Sequence, residues 1–122
     1  MGYILNILNS TEVSIMIKIT NLTKKYKDNV ILNNLSYTFN DHGLYVIRGY
    51  NGAGKTTLAK ILALLDFNYS GTIELDEVNI KKMKNVNRVR NQRISYIMPK
   101  NNLLSFLNAL DNITYFNPDF DD

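Results

Sequence analysis

Ile17-Lys18-Ile19-Thr20 alternates apolar and polar side chains, the period of a strand with one face buried. Leu35-Ser36-Tyr37-Thr38-Phe39 repeats the alternation, and so does Gly71-Thr72-Ile73-Glu74-Leu75. Lys24 to Asn29 is polar and reads as a turn, as does Asn40-Asp41-His42-Gly43 by composition. The early strands are therefore expected to be antiparallel with short connections. Leu44-Tyr45-Val46-Ile47 is different: it is continuously apolar over a strand's length, as buried parallel strands are. Leu58 to Leu65 holds strong helix formers and one charge, which predicts a largely buried helix. Asp66 to Ser70 reads as a loop. Lys81 to Arg93 is basic, with Val86 and Val89 three apart, and predicts a short exposed helix. Ile94-Ser95-Tyr96-Ile97-Met98 reads as an apolar strand stopped by Pro99. Leu103 to Tyr115 is mainly helical in pattern.

The two ends carry less. In residues 1–15, Ile4, Ile7 and Leu8 could share one side of a short helix, but Asn6, Asn9 and Ser10 interrupt it. The segment reads as an extension of no assigned role, with Met16 as the natural start; N-terminal mass spectrometry of the native product would decide. Residues 116–122 form a broken, acidic end. Asparagine is scattered along the chain without tracts and is assigned no role.

One stretch carries chemistry. Gly49-Tyr50-Asn51-Gly52-Ala53-Gly54-Lys55-Thr56-Thr57 has glycine, four residues, then glycine, lysine and threonine. Gly52 and Gly54 allow a tight turn and a close approach of backbone to a phosphate. Amides from Gly52 to Thr56 can then point at the anion, reinforced by the positive end of the helix that starts there. Lys55 supplies a mobile positive charge for β- and γ-phosphates. The Thr56 hydroxyl is placed to ligate Mg²⁺, which prefers oxygen. An apolar strand before the loop and a helix after it are the context such a loop requires.

Bulk properties narrow the rest. The chain has 122 residues, 45% hydrophobic and 20% charged, the proportions of one globular domain or part of one. A net charge of +3 is too small to argue for nucleic acid. Cysteine is absent, which excludes disulfides and thiolate metal sites. No apolar run nears the roughly 18 residues that span a bilayer, and no secretory signal pattern opens the chain. These features predict a cytoplasmic protein, held at a membrane only through a partner.

From about Met16 onward the blocks IKITNLTKKY, ILNNLSYTF, GYNGAGKTTLAKILALL, SGTIELDEVNI, RISYIM and NNLLSFLNALDNI follow one another. In that order they resemble the N-terminal half of an ABC-type ATPase, the nucleotide-binding subunit of ABC transporters. The resemblance implies an α/β fold: a P-loop NTPase (ABC ATPase) core, incomplete, with an N-terminal antiparallel β subdomain. It implies ATP and Mg²⁺ as ligands. Gly49, Asn51, Gly52, Ala53, Gly54, Lys55, Thr56 and Thr57 would hold the phosphates, Thr56 the metal, and Tyr26 would stack on the adenine. It implies as partners a membrane permease subunit and a second ABC ATPase subunit, with the chain on the inner face of the membrane.

The chain also departs from the family. Pro99, followed by Lys100, stands where the family has the glutamine that contacts Mg²⁺, and neither side chain can replace it. The signature LSGGQ, the apolar strand ending in Asp-Glu and the later switch histidine are not in the sequence. Glu74-Leu75-Asp76-Glu77 lies in the position of a peripheral strand and does not replace that acidic pair. His42, the lone histidine, precedes the loop and reads as a turn residue.

In the family fold both neighbours of the loop's strand come from the C-terminal half. Strands sit about 4.8 Å apart, so a missing pair leaves a gap that side chains cannot fill. The Leu44–Ile47 strand would then expose backbone and apolar faces, predicting a chain that is poorly stable alone or associates. Weak nucleotide binding and little unaided hydrolysis follow. The alternatives are a non-hydrolysing, degenerate ATP-binding partner of a complete subunit, a soluble ABC protein acting on ribosomes or DNA through the basic run, or a small-molecule kinase. The basic run lacks interleaved aromatics and reads as a solvated face. NNLLSFLNALDNI looks most like the exporter branch that moves lipoproteins, peptides or drugs.

Overall fold

The computed structural model of the protein describes residues 3–7, 16–40, 43–100 and 102–115. Two sheets form. Strands β2 (Ile17–Tyr26), β3 (Asn29–Phe39), β5 (Ser70–Leu75) and β6 (Val78–Asn79) make a four-stranded antiparallel sheet in the order β3-β2-β5-β6. Strands β1 (Tyr3–Ile7) and β4 (Gly43–Ile47) make an antiparallel pair. Helix α1 (Lys55–Leu62) follows the glycine loop; α2 (Val86–Arg93) and α3 (Ala109–Thr114) come later.

The β2–β3 hairpin is longer than its alternation suggests. Strand β2 runs through to Tyr26, and only Lys27 and Asp28 turn the chain. The alternation breaks because the strand bulges. Ile17 and Ile19 are buried, and after a register shift Leu22 and Lys24 are buried instead. One extra residue moves odd positions off the core face and even positions onto it. Asn21 takes the left-handed conformation at this bulge, and Asn34 does so across from it (φ 50° and 49°). Asparagine tolerates that region better than most residues. Each freed amide finds a hydroxyl: Asn21 N donates to Ser36 Oγ at 2.8 Å, and Asn34 N to Thr23 Oγ1 at 2.9 Å. Asparagine therefore has a role here that its scattering conceals.

Gly71 passes directly over the bulge, with φ +90°. A Cβ there would lie 2.3 Å from Asn21 O and 2.7 Å from Thr20 O, so only hydrogen fits. At the far end of β5, Asp76 and Glu77 both take positive φ in a two-residue turn. The Asp76 carboxylate accepts from Met16 N and from Arg93, which ties the start of β2 to α2. That acidic pair is thus a structural turn.

The core lies between the four-stranded sheet and α1. Ile17, Ile19, Leu22, Leu32, Phe39, Ile73 and Leu75 meet Leu58, Ile61 and Leu62 there. The expected buried helix is present, ending with Leu64 in the left-handed region (φ 56°). Arg90 of α2 donates to Leu64 O at 3.1 Å, and Lys81 to Tyr69 O at 2.6 Å. Much of the basic segment is therefore tethered to the body rather than simply solvated, and only Val86–Arg93 of it is α-helical.

Three expectations need correction. Strand β4 is neither buried nor parallel. Its described partner is β1, antiparallel, and Leu44 and Val46 remain 64% and 52% exposed. No parallel neighbour lies among the described residues, and the exposure of Leu44 and Val46 is what the lack of such neighbours predicts. Residues 94–98 form no strand, because an extended segment without a hydrogen-bonding neighbour has no ladder to join. The helical reading of Leu103–Tyr115 holds only for Ala109–Thr114. Before it, the Asn112 side chain accepts from Leu104 N at 2.7 Å and donates to Leu104 O and Leu107 O at 3.1 Å each, which satisfies a loop instead. The turn around His42 and the acidic end lie outside the described residues.

Candidate functional site

The glycine loop is positioned from three sides. The first is β4, which delivers the chain at Ile47. Its orientation is fixed by Tyr45, whose ring packs edge-on against Phe39 and Tyr37 of β3 at centroid distances of 5.0 and 6.3 Å. The Tyr45 hydroxyl accepts from Asn40 N at 3.0 Å. Edge-to-face rings with a satisfied hydroxyl give a specific rather than a slippery contact between the two sheets.

The second is α1, which leaves the loop at Lys55. Leu58 N donates to Gly54 O at 2.9 Å, the first helical bond. The amides of the first turn have no carbonyl within the helix to bind and project from its N-terminal end. The third is β3. A Cβ on Gly54 would meet Ile31 Cγ2 at 2.9 Å and Ile31 O at 3.1 Å. Glycine at 54 therefore serves two needs, a positive φ of 91° and a close seat against the hairpin.

Within the loop, Ala53 N donates to Tyr50 O at 3.1 Å, and Gly52 has φ +88° with open space around it. A Cβ on Gly49 would stand 3.0 Å from the Ala53 Cβ, so the loop closes on itself at its base. Lys55 is 9% exposed, and its Nζ donates to Gly49 O at 2.6 Å and Tyr50 O at 2.7 Å. The ammonium is thus stored on the two carbonyls that flank the loop's first turn. Asn51, Gly52 and Thr56 are exposed, while Ala53, Gly54 and Thr57 are half-buried. Gly49 to Thr57 runs as one loop into the first turn of α1.

Tyr26 sits apart from the loop in sequence but on the hairpin that backs it. It pairs with Asn29 at the hairpin's end, two positions from the Ile31 that abuts Gly54. Its ring is 51% exposed, and Lys24 Nζ lies 4.9 Å from its centroid. Lys24 itself is buried, bound to Asp66 and to Asn68 O at 2.6 Å. Sequence reasoning passed over Lys24, Ile31 and Leu32, the residues that place the loop and the tyrosine. Their signal is the phase change at Asn21, which turns Lys24 inward.

Among the described residues no group of three or more His, Cys, Asp or Glu is arranged to hold a metal. The loop's donor set, backbone amides and a lysine ammonium, suits an anion. No helix among the described residues is long and apolar enough to cross a membrane.

The sequence matches the ABC transporter family over residues 32–122, and the chain belongs to that family. It is 37% identical over 101 residues to the macrolide export ATP-binding/permease protein MacB of Campylobacter jejuni, covering 81% of this chain and 16% of that protein. It is 35% identical over 102 residues to the methionine import ATP-binding protein MetN of Helicobacter hepaticus, covering 82% and 29%. With the lipoprotein-releasing system ATP-binding protein LolD of Bacteroides thetaiotaomicron it shares 32% over 100 residues, covering 80% and 46%. The chain thus spans less than half the length of these relatives. It is an ABC transporter ATP-binding domain region of mixed α/β structure with an antiparallel four-stranded sheet.

Proposed function

We propose that this chain binds ATP with Mg²⁺ as the N-terminal part, residues 16–122, of the nucleotide-binding domain of an ABC transporter. The observation that carries the reading is the form of the loop. Its base is closed, Gly54 is wedged against Ile31, and the Lys55 ammonium rests on the Gly49 and Tyr50 carbonyls. Triphosphate oxygens offer that ammonium a better acceptor than two carbonyls, and the amides of residues 52–56 complete the cradle. Thr56, with phosphate oxygens and water, would hold the Mg²⁺. Tyr26 offers the half-exposed ring face for adenine.

In this reading the fold is an incomplete P-loop NTPase core with an N-terminal antiparallel β subdomain, and residues 1–15 are an extension. Its partners are a second ABC ATPase subunit and a permease that holds it at the inner face of the membrane. The named relatives include both import and export proteins at similar identity, which supports a nucleotide-binding role without favouring a cargo. Hydrolysis is left to a companion. Pro99 and Lys100 support a non-hydrolysing role as the second reading, since neither can ligate Mg²⁺.

Titration of folded protein with labelled ATP and Mg²⁺ tests the reading. Saturable binding is expected, weakened about tenfold or more in Lys55→Ala, the loss of a charge-assisted hydrogen bond. No saturable signal, or equal binding by the variant, would overturn it. Steady turnover abolished in Lys55→Ala would overturn the non-hydrolysing part alone.

A further inference from the structure

The geometry points to strand β1 as a positioning element for the phosphate loop, its pairing with β4 and nucleotide binding each strengthening the other. The inference rests on the ATP-binding reading above. The register sets Tyr3 opposite Ile47 and Ile4 opposite Val46. Ile47 is the last residue of β4, and Gly49 opens the loop two positions on. Strand β1 also comes close to α1, the helix that leaves the loop. The same five residues therefore stand beside both flanks of the loop.

The ladder matters because β4 has little else on one side. Tyr45 and Ile47 pack inward, but Leu44 and Val46 are mostly exposed. Among the described residues β4 pairs only with β1. A two-stranded sheet of five-residue strands is marginal in water, so its opening belongs to the least stable motions of the fold. When it opens, the root of the loop loses its backbone restraint. A nucleotide that needs a closed loop binds the paired form better and pays less ordering entropy there. Reciprocity then requires nucleotide to tighten the β1–β4 pairing by the same factor.

Hydrogen exchange on the full chain, with and without ATP and Mg²⁺, tests the coupling. ATP should slow exchange at residues 3–7 and 43–47 by about fivefold or more, the usual lower range of such coupling, and should not do so in Lys55→Ala. In an antiparallel ladder successive N–H groups point alternately toward and away from the partner, so one of any two neighbours faces β4. The double substitution Leu5→Pro with Asn6→Pro therefore removes a ladder donor whichever it is. It should weaken ATP binding about fivefold to tenfold, with exchange at Ile19 and Ile73 in the other sheet unchanged. Unchanged exchange at residues 3–7 on adding ATP overturns the inference, even if the double variant does not fold. So does wild-type affinity in the double variant. Either result leaves the phosphate-loop reading intact so long as Lys55→Ala still loses ATP. If wild-type protein binds no ATP, that reading fails first and the coupling with it.

Discussion

Lys24 Nζ lies 2.7 Å from Asp66 Oδ2, although only 2% of the lysine side chain reaches solvent. The pair joins the β2–β3 hairpin that backs the phosphate loop to the segment that follows α1. The lysine also donates to Asp66 Oδ1 and Asn68 O, and Asn68 N donates to Asp66 Oδ1. The ammonium is fully hydrogen-bonded in a site that an uncompensated charge could not occupy.

Removing one partner should therefore be costly. Asp66→Ala is expected to lower stability by about 3 kcal/mol, because it strands a buried ammonium. Lys24→Met should cost less, since Asp66 is 20% exposed and can turn to water. Urea denaturation of both single variants and the double variant measures the coupling. A loss under about 1 kcal/mol in Asp66→Ala would show that the pair does not hold the hairpin in place.

The same pair sets an acid limit. Burial alone would raise the Asp66 pKa. The hydrogen bonds from Lys24 and Asn68 and the charges of Lys24 and Lys60 outweigh it and hold the group below its ordinary value. A carboxylate with a depressed folded-state pKa stabilises fully above its unfolded value, near 3.9, and loses that contribution as pH falls through the folded value. Stability attributable to Asp66 should be constant near neutrality and decline below about pH 4. In Asp66→Asn this part of the acid transition should vanish.

Tyr69 limits the alkaline side. Its hydroxyl is buried and has no hydrogen-bond partner among the described residues. Burial, and then the charge of Asp66, push its pKa up to about 12. The folded protein thus keeps a proton that the unfolded chain releases near pH 10, so stability is complete below about pH 10 and falls as pH rises toward the folded value. Tyr69→Phe should remove that loss and be neutral or slightly stabilising at pH 7, because a buried unpaired hydroxyl disappears. The Lys81 ammonium, 4.0 Å from the ring centroid, keeps its aromatic face. Parallel denaturation curves at pH 7 and pH 11 distinguish the two proteins.

Three glycine-to-alanine variants should separate by sterics. Gly71→Ala places a methyl 2.3 Å from Asn21 O and should cost at least about 3 kcal/mol, or prevent folding. Gly54→Ala meets Ile31 at 2.9 Å and should be intermediate, with ATP binding reduced as the loop shifts. Gly52→Ala has open space and pays only for its left-handed backbone, about 1 kcal/mol. Thermal unfolding in any other order would contradict these close approaches.

Tyr26 should matter to ligand and little to fold. Tyr26→Ala is expected to weaken ATP binding about tenfold, one base-stacking contact, while Tyr26→Phe retains it. Stability should change by less than about 1 kcal/mol, because the ring is half-exposed and its described partner is the Lys24 ammonium. Equal ATP affinity in Tyr26→Ala would remove this residue from the site.

Much of this was legible along the chain. The tight loop at Gly49 to Thr57 needs no distant residue to be read, since its positive-φ turns at Gly52 and Gly54 are encoded by glycines at fixed spacing. The alternation at Ile17–Thr20, Leu35–Phe39 and Gly71–Leu75 marked three strands for a similar reason: side chains reverse face at each step. What failed was whatever depended on a partner. Residues 94–98 have a strand's composition and no described neighbour to pair with, and Leu44–Ile47 has a parallel strand's composition and an antiparallel partner, Tyr3–Ile7, from a segment whose weak pattern suggested a short helix instead.

Local structure, then, was written in the order of residues: a glycine loop, the helix that starts at Lys55, and the hairpins around them. Which face Lys24 presents, where Gly54 and Gly71 press, and what covers the edge of β4 were decided only in three dimensions. A bulge at Asn21 reverses the inward positions of everything after it, and a ladder exists only when a second strand arrives. Neither event leaves a mark at the residue it governs.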